Sequence, residues 1–366
     1  MSQRVAASGH QEFTQLRRVA VMRSLSGLGD LLCIIPALRS LRVALPQAEI
    51  VMIGLPQVAE LLKRFNHYVN RLLIFPGYPG LPEQTPQLEQ IAPFLTVAQS
   101  QQFDLAIQMQ GNGVITNPIT VLLGARSNAG FYLPSGYCPD PNQFLPYQAY
   151  ESEVQRYLRL MDFLGMRSQG DALEFPLLEA DYQAFNAMAA VVGLQYGRYV
   201  CVHPGASVAQ RCWSPEKFAI VADALADNGF QIILTGTAAE TSLTQTIAQL
   251  MRTKPLILAG HTNLGTLAVL LKGARLLICN DTGVSHLAAA LQVPSVVVFT
   301  HSNPTRWAPL DQTLHRVVHG TAKTAVADVI AQATGLLEST AARIKALERP
   351  LQMAVAIRGG DGEPVV

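Results

Sequence analysis

Charge is scarce in this chain, cysteine is sparse and long apolar runs are absent. Only 14% of the 366 residues are Asp, Glu, Lys or Arg, and the formal net charge is +1. So balanced a chain has no global attraction for polyanions, and no basic run with interleaved aromatics supplies a local one, which argues against a nucleic-acid partner. No stretch of about 18 apolar residues could span a bilayer. The first sixteen residues are polar and mixed, without the apolar core of an export signal. The five cysteines, Cys33, Cys138, Cys201, Cys212 and Cys279, are scattered and lack metal-ligand spacing, so they read as reduced residues of a cytosolic protein. The expectation is a cytoplasmic chain, compatible with peripheral association at the inner face of the membrane.

What is abundant is apolar: 49% of the residues are hydrophobic, enough for large buried sheets in more than one core. Short apolar runs alternate with helical patterns, which predicts an α/β chain of two Rossmann-like, doubly wound domains. The divisions expected are a disordered tail over 1–16, a first domain over 17–170, a linker over 171–180 around Pro176, a second domain over 181–321, a terminal helix over 322–350 packing back toward the first domain, and a tail over 351–366. Gly77 to Gln84 and Leu133 to Tyr147, rich in Pro, Gly and Tyr, read as long loops. Pro36 lies inside a helical pattern from Leu31 to Leu45 and should kink it after its first turn.

Chemistry concentrates where apolar runs end in turns. The run Ala274 to Cys279 stops at Asn280-Asp281-Thr282-Gly283 and becomes the Leu/Ala-rich stretch through Leu291. This is a strand feeding a helix, with Asp281 or Thr282 as N-cap and His286 one turn along. First-turn amides and the helix dipole favour an anion there, although an ordinary capped turn would have the same sequence. After Tyr199 to His203 comes Pro204-Gly205-Ala206-Ser207, then Arg211, Trp213 and Pro215; after Phe230 to Thr235 comes Gly236-Thr237-Ala238-Ala239-Glu240. Three such turns at the carboxyl ends of parallel strands converge on one crevice, where Arg211 offers a charged fork for phosphate.

The first domain has its own turn, Ser24-Leu25-Ser26-Gly27-Leu28-Gly29-Asp30. Gly27 and Gly29 suggest a dinucleotide fingerprint, but Leu32 occupies the place of its third glycine, which disfavours NAD. Asp30 is a carboxylate at a helix start, a reactive group or simply a cap. Gln108, Gln110, Asn112 and Asn117 add neutral amides near the fourth strand end, suited to hydroxyl-rich ligands or to loop capping.

Together these residues resemble glycosyltransferase family 9, the heptosyltransferases of lipopolysaccharide assembly. Ser26-Gly27-Leu28-Gly29-Asp30 followed by Pro36-Ala37-Leu38-Arg39 is similar to its amino-terminal signature. Gly205-Ala206-Ser207 with Arg211 and Trp213 resembles its second motif, and Asp281-Thr282-Gly283 with His286 its third. The resemblance covers roughly residues 18–310 and implies a GT-B architecture, two Rossmann-like domains facing a cleft, and inverting sugar transfer without metal or cofactor. It implies Asp30 as general base and Arg211, where Lys is usual in the family, as a phosphate ligand. It further implies donor contacts at Gly205, Ser207, Asp281, Thr282, Gly283 and His286, and Glu240 near the ribose. Ser26, Gly27, Gly29, Gln110 and Asn112 fall on the acceptor side, where Gln108 replaces a common Asp and Ser152 a common His. The partners implied are a nucleoside diphosphate sugar and a glycan or glycolipid acceptor.

Elementary chemistry asks for the same groups. Transfer from such a donor needs a base for the acceptor hydroxyl and positive charge for the departing diphosphate. No Asp-x-Asp pair is present to hold a divalent metal, so Arg211, His286 and helix amino-termini are left to stabilise the leaving group. An inactive nucleotide-sugar-binding protein of the same fold remains the alternative.

Overall fold

Strands that are apolar on both faces need helices on both sides, and this chain builds two such layered sheets. The computed structural model describes residues 16–340. The expected tails, and the part of the expected terminal helix beyond 340, lie outside the described residues. The chain divides into two units between Pro176 and Leu177.

In the first unit the strands are β1 (Arg18–Met22), β2 (Glu49–Gly54), β3 (Arg71–Ile74), β4 (Leu105–Gln108), β5 (Ser127–Tyr132) and β6 (Phe144–Pro146). They form one parallel sheet in the order β3-β2-β1-β4-β5-β6. The helices are α1 (Leu28–Leu32), α2 (Ile35–Ala44), α3 (Ala59–Leu62), α4 (Leu88–Ser100), α5 (Thr116–Leu122) and α6 (Glu153–Phe163). Met22, Val51, Ile53, Phe75, Phe103 and Ile119 belong to the core.

The second unit repeats the plan with β7 (Tyr199–His203), β8 (Gln231–Leu234), β9 (Leu256–Ile257), β10 (Leu276–Asn280), β11 (Ser295–Phe299) and β12 (His315–His319). Their order is β12-β11-β10-β7-β8-β9, again parallel. Its helices are α7 (Glu179–Val192), α8 (Pro215–Asp227), α9 (Thr241–Leu250), α10 (Leu264–Gly273), α11 (Gly283–Leu291), α12 (Pro304–Trp307) and α13 (Ala325–Ser339).

The predicted α/β class therefore holds, with two local corrections. Pro36 divides its helix rather than kinking it: α1 stops at Leu32, and α2 restarts with Pro36 in its first turn, where the missing N–H is not needed. The segment read as a loop over Leu133 to Tyr147 contains β6, whose pairing with β5 closes the first sheet's edge. The terminal helix, in its described part α13, buries Val329, Ala333 and Leu336 in the second unit's own core. The rest of that expected helix, residues 341–350, lies outside the described residues.

Strand order locates the sites. Each sheet reverses its direction of winding once, between β1 and β4 in the first unit and between β7 and β10 in the second. Loops diverge at such a point and leave a crevice at the strands' carboxyl ends. The turns after β1 and β10, singled out from sequence, leave their sheets at these two places.

Candidate functional site

In the second unit, Asn280 at the end of β10 fastens the neighbouring turns. Its fully buried amide donates to the Pro204 carbonyl at 2.6 Å and accepts from the Trp213 N–H at 3.0 Å. Trp213 in turn donates its indole N–H to the Gly320 carbonyl at 3.0 Å and stands edge-on to Phe218. The tryptophan of the second motif is thus a core anchor for the turn that carries Arg211.

Asp281 follows. It is buried, accepts a hydrogen bond from the Ser302 hydroxyl, and has the Arg211 guanidinium 4.0 Å away. That separation is electrostatic contact, not a hydrogen bond. Burial pushes the Asp281 carboxyl above its ordinary range, opposed by Ser302 and Arg211. Thr282 is the N-cap of α11, but its side chain makes no capping bond; its carbonyl accepts from the Ser285 N–H at 3.0 Å and hydroxyl at 2.7 Å. Gly283 opens the helix. His286 is buried one turn in, edge-on to Trp307 with ring centroids 6.1 Å apart.

The third turn supplies Glu240, whose carboxylate accepts from the Thr237 N–H at 2.7 Å and hydroxyl at 2.9 Å, a reciprocal capping box. The same carboxylate lies over Gly205: a Cβ there would stand 1.8 Å from Glu240 Oε1. Beneath it, buried His203 meets the Thr235 hydroxyl at 3.1 Å, and burial lowers its pKa against the opposing Glu240 charge. Ser207 is exposed.

In the first unit, Arg23 follows β1 and its side chain is 1% exposed. One arm of its fork donates to the Tyr157 hydroxyl at 2.7 Å and to the Met109 carbonyl. The other donates to the Asp30 carbonyl at 2.6 Å and lies 3.6 Å from Asp30 Oδ1. Asp30 remains 28% exposed, and its Oδ2 would be 2.4 Å from a Cβ at Gly27. Ser26 is exposed and Gly29 buried in the same turn. Gln110 is buried, its carbonyl accepting from the Ser24 N–H and hydroxyl at 2.7 and 2.8 Å. Asn112 accepts from the Val114 N–H at 3.1 Å, a loop cap. Gln108, fully buried, donates to Thr116 at 2.7 Å and accepts from Phe131 N–H at 3.2 Å, which ties β4 to β5.

Arg211 and Asp281 are therefore brought together, with Thr282, Gly283 and His286 following in the same turn and helix, while Glu240, on the turn after β8, lies against Gly205 of the Arg211 turn. Sequence reasoning passes over Arg23, His203, Ser302 and Trp307. For the first three the available signal was position, at or just after the carboxyl end of a parallel strand; Trp307 ends the short helix α12 beyond β11 and carried no such signal. Among the described residues, no group of three or more His, Cys, Asp and Glu side chains is placed to hold a metal ion, and no helix is long and apolar enough to cross a membrane.

The raised carboxyl of Asp281 has a stability consequence. A raised acid contributes fully below its unfolded pKa of about 3.9 and loses that contribution as pH rises through the folded value. Asp281→Asn, which cannot ionise, should gain stability relative to the parent chain over the window that opens above about pH 4 as the parent's carboxyl ionises. Unfolding midpoints of both chains across that window check this; a difference independent of pH would contradict it.

Comparison with known proteins follows the same lines. The family model described as glycosyltransferase family 9 (heptosyltransferase) matches residues 97–331. A lipopolysaccharide heptosyltransferase 3 of Escherichia coli strain K12 is 30% identical over 159 residues, 43% of this chain and 46% of that protein. A lipopolysaccharide heptosyltransferase 3 of Escherichia coli is 25% identical over 295 residues, 77% of this chain and 83% of that one. This chain thus spans about half of the first relative and most of the second. The crystal structure of the glycosyl transferase family 9 from Veillonella parvula DSM 2008 shares the fold with a TM-score of 0.74 at 21% identity, covering 90% of this chain and 99% of that one. With two parallel α/β units of the GT-B kind and a family match across more than half its length, the chain belongs to glycosyltransferase family 9.

Proposed function

We propose that this chain transfers a heptose or related sugar from a nucleoside diphosphate sugar, ADP-linked, to a hydroxyl of a lipopolysaccharide-core or other glycan or lipid acceptor. The transfer inverts the anomeric carbon and needs no metal. One observation carries the reading: the Arg211 guanidinium, buried His286 and the start of α11, uncapped by a side chain, share the crevice where the second sheet reverses. That combination suits a diphosphate, since cationic donors and helix amides stabilise charge that develops on a leaving group. The names of the two curated relatives support the heptose.

In this mechanism the acceptor oxygen attacks the anomeric carbon as its proton passes to the Asp30 carboxylate. The bond to the diphosphate breaks, and its electron pair leaves with the phosphate oxygen toward Arg211 and His286. Asp281 to Gly283 hold the donor sugar and phosphates, Gly205 and Ser207 the phosphates, and Glu240 the ribose. Ser26, Gly27, Gly29, Gln110 and Asn112 lie on the acceptor side, and a lipid-linked acceptor would bring the chain peripherally to the inner membrane face.

Calorimetric titration of ADP, UDP, GDP and NAD with a chelator present tests the proposal. Micromolar binding of ADP alone is the expected result; binding of NAD alone, or of no diphosphate, would overturn it. Arg211→Ala should weaken ADP binding by roughly 10- to 100-fold, the scale of a lost charge-assisted contact. An unchanged dissociation constant would remove Arg211 from the site.

A second reading is an inactive nucleotide-sugar-binding protein, favoured by the engagement of Asp30 with Arg23 through both carbonyl and carboxylate. Release of free nucleotide when a heptose acceptor is added separates the two.

A further inference from the structure

The turn after β11 reaches the proposed donor site at three points. Thr300 donates its hydroxyl to the Gln210 carbonyl at 2.7 Å, one residue before Arg211. Ser302 donates its hydroxyl to Asp281 Oδ2. Trp307 sets its ring against His286 at an interplanar angle of 71°. The segment between is itself held: Asn303 caps α12 by accepting from the Thr305 N–H at 2.9 Å, and the Arg306 guanidinium lies 4.8 Å over the Trp307 ring.

We infer that Thr300 to Trp307 is a strap of positioning residues that fixes the Arg211 turn, Asp281 and His286 relative to one another. The inference rests on the donor-site reading above and adds to it the residues that hold the site in shape. The physical need is specific. The turns bearing Arg211 and His286 leave different strands, β7 and β10, and a diphosphate gripped from two sides loses affinity when either grip shifts by a fraction of an ångström. Both contacts to the Asp281 carboxylate, from Ser302 and from Arg211, fall on Oδ2. Ser302 therefore sets the rotation of a buried carboxylate about its side-chain bond, and with it the direction in which Oδ1 points. Trp307 limits the imidazole of His286 by packing an aromatic edge against it, a contact that aliphatic side chains of similar bulk do not reproduce.

The test uses the full chain with ADP as probe, comparing Ser302→Ala with Ser302→Thr and Trp307→Leu with Trp307→Phe, by calorimetry and thermal unfolding. Ser302→Ala and Trp307→Leu are each expected to weaken ADP binding about tenfold, with unfolding midpoints close to the parent's. Ser302→Thr, which keeps the hydroxyl, and Trp307→Phe, which keeps an aromatic edge, should return to within about twofold. Affinity unchanged in Ser302→Ala and Trp307→Leu, no rescue by the conservative variants, or a loss of affinity that only follows a loss of folding would each overturn the strap. A parent chain that binds no ADP overturns the donor reading and the strap together. A parent that binds ADP beside indifferent variants overturns the strap alone.

Discussion

Asp30→Asn is expected to lower turnover by roughly 10²- to 10⁴-fold, the contribution of a positioned general base, while the dissociation constant for ADP stays where it is. The substitution is nearly isosteric. It keeps the side-chain bulk beside Gly27, and the 2.6 Å bond from Arg23 to the residue's backbone carbonyl does not involve the side chain. What it removes is an atom able to take the acceptor's proton. The groups proposed to hold the donor, Arg211, Asp281 and His286, all belong to the second unit, so donor affinity should survive. Product formation and calorimetry on the same preparation check both halves. Turnover within tenfold of the parent would reduce Asp30 to a helix-start residue; a parallel loss of turnover and ADP binding would remove it as the base.

The largest structural effect is expected at Arg23. Arg23→Met leaves the Tyr157 hydroxyl, the Met109 carbonyl and the Asp30 carbonyl without their shared donor. Tyr157 is itself buried, and burial pushes its phenol well above the ordinary range, so it stays a neutral group in need of a partner. Stranding these acceptors, at about 1–3 kcal/mol for each buried group left unsatisfied, costs about 3–5 kcal/mol in all. For a unit of this size that lowers the unfolding midpoint by roughly 6–20 °C. Arg23→Lys should recover little of it, because a single ammonium cannot reproduce a fork whose two arms serve acceptors on different elements. Urea unfolding followed by a probe in the first unit measures the effect; a loss below about 1 kcal/mol would mean that the surroundings rearrange to satisfy those acceptors.

The parts legible in the sequence were those in which local pattern and tertiary role coincide. Tyr199–His203 is an apolar run stopped by Pro204-Gly205, which carries its observed bounds in the sequence, and Gly283–Leu291 is a Leu/Ala-rich helix behind a glycine turn, for which Asp281 and Thr282 were both candidate caps and the structure uses Thr282. The elements passed over carry mixed signals. β6 is three residues long in a Pro- and Tyr-rich segment, β12 has histidines at both ends, and α4 contains Pro93. Each is specified by pairing or packing with distant residues rather than by its own periodicity. The sites divide in the same way. Strand-end logic points to Asp30, Arg211, Asp281 and His286, whereas Arg23 against Tyr157 and Ser302 against Asp281 join residues 134 and 21 positions apart. Contacts of that kind follow from the strand order, which a single sequence does not display.

Both units seat an acid on a glycine: Asp30 over Gly27, and Glu240 over Gly205. In each case the glycine's missing side chain is space already occupied by the carboxylate. The glycine in each pair thereby leaves the acid free to keep its present direction. Alanine at 205 would swing the Glu240 carboxylate out of that space, and with it the two hydrogen bonds it accepts from Thr237.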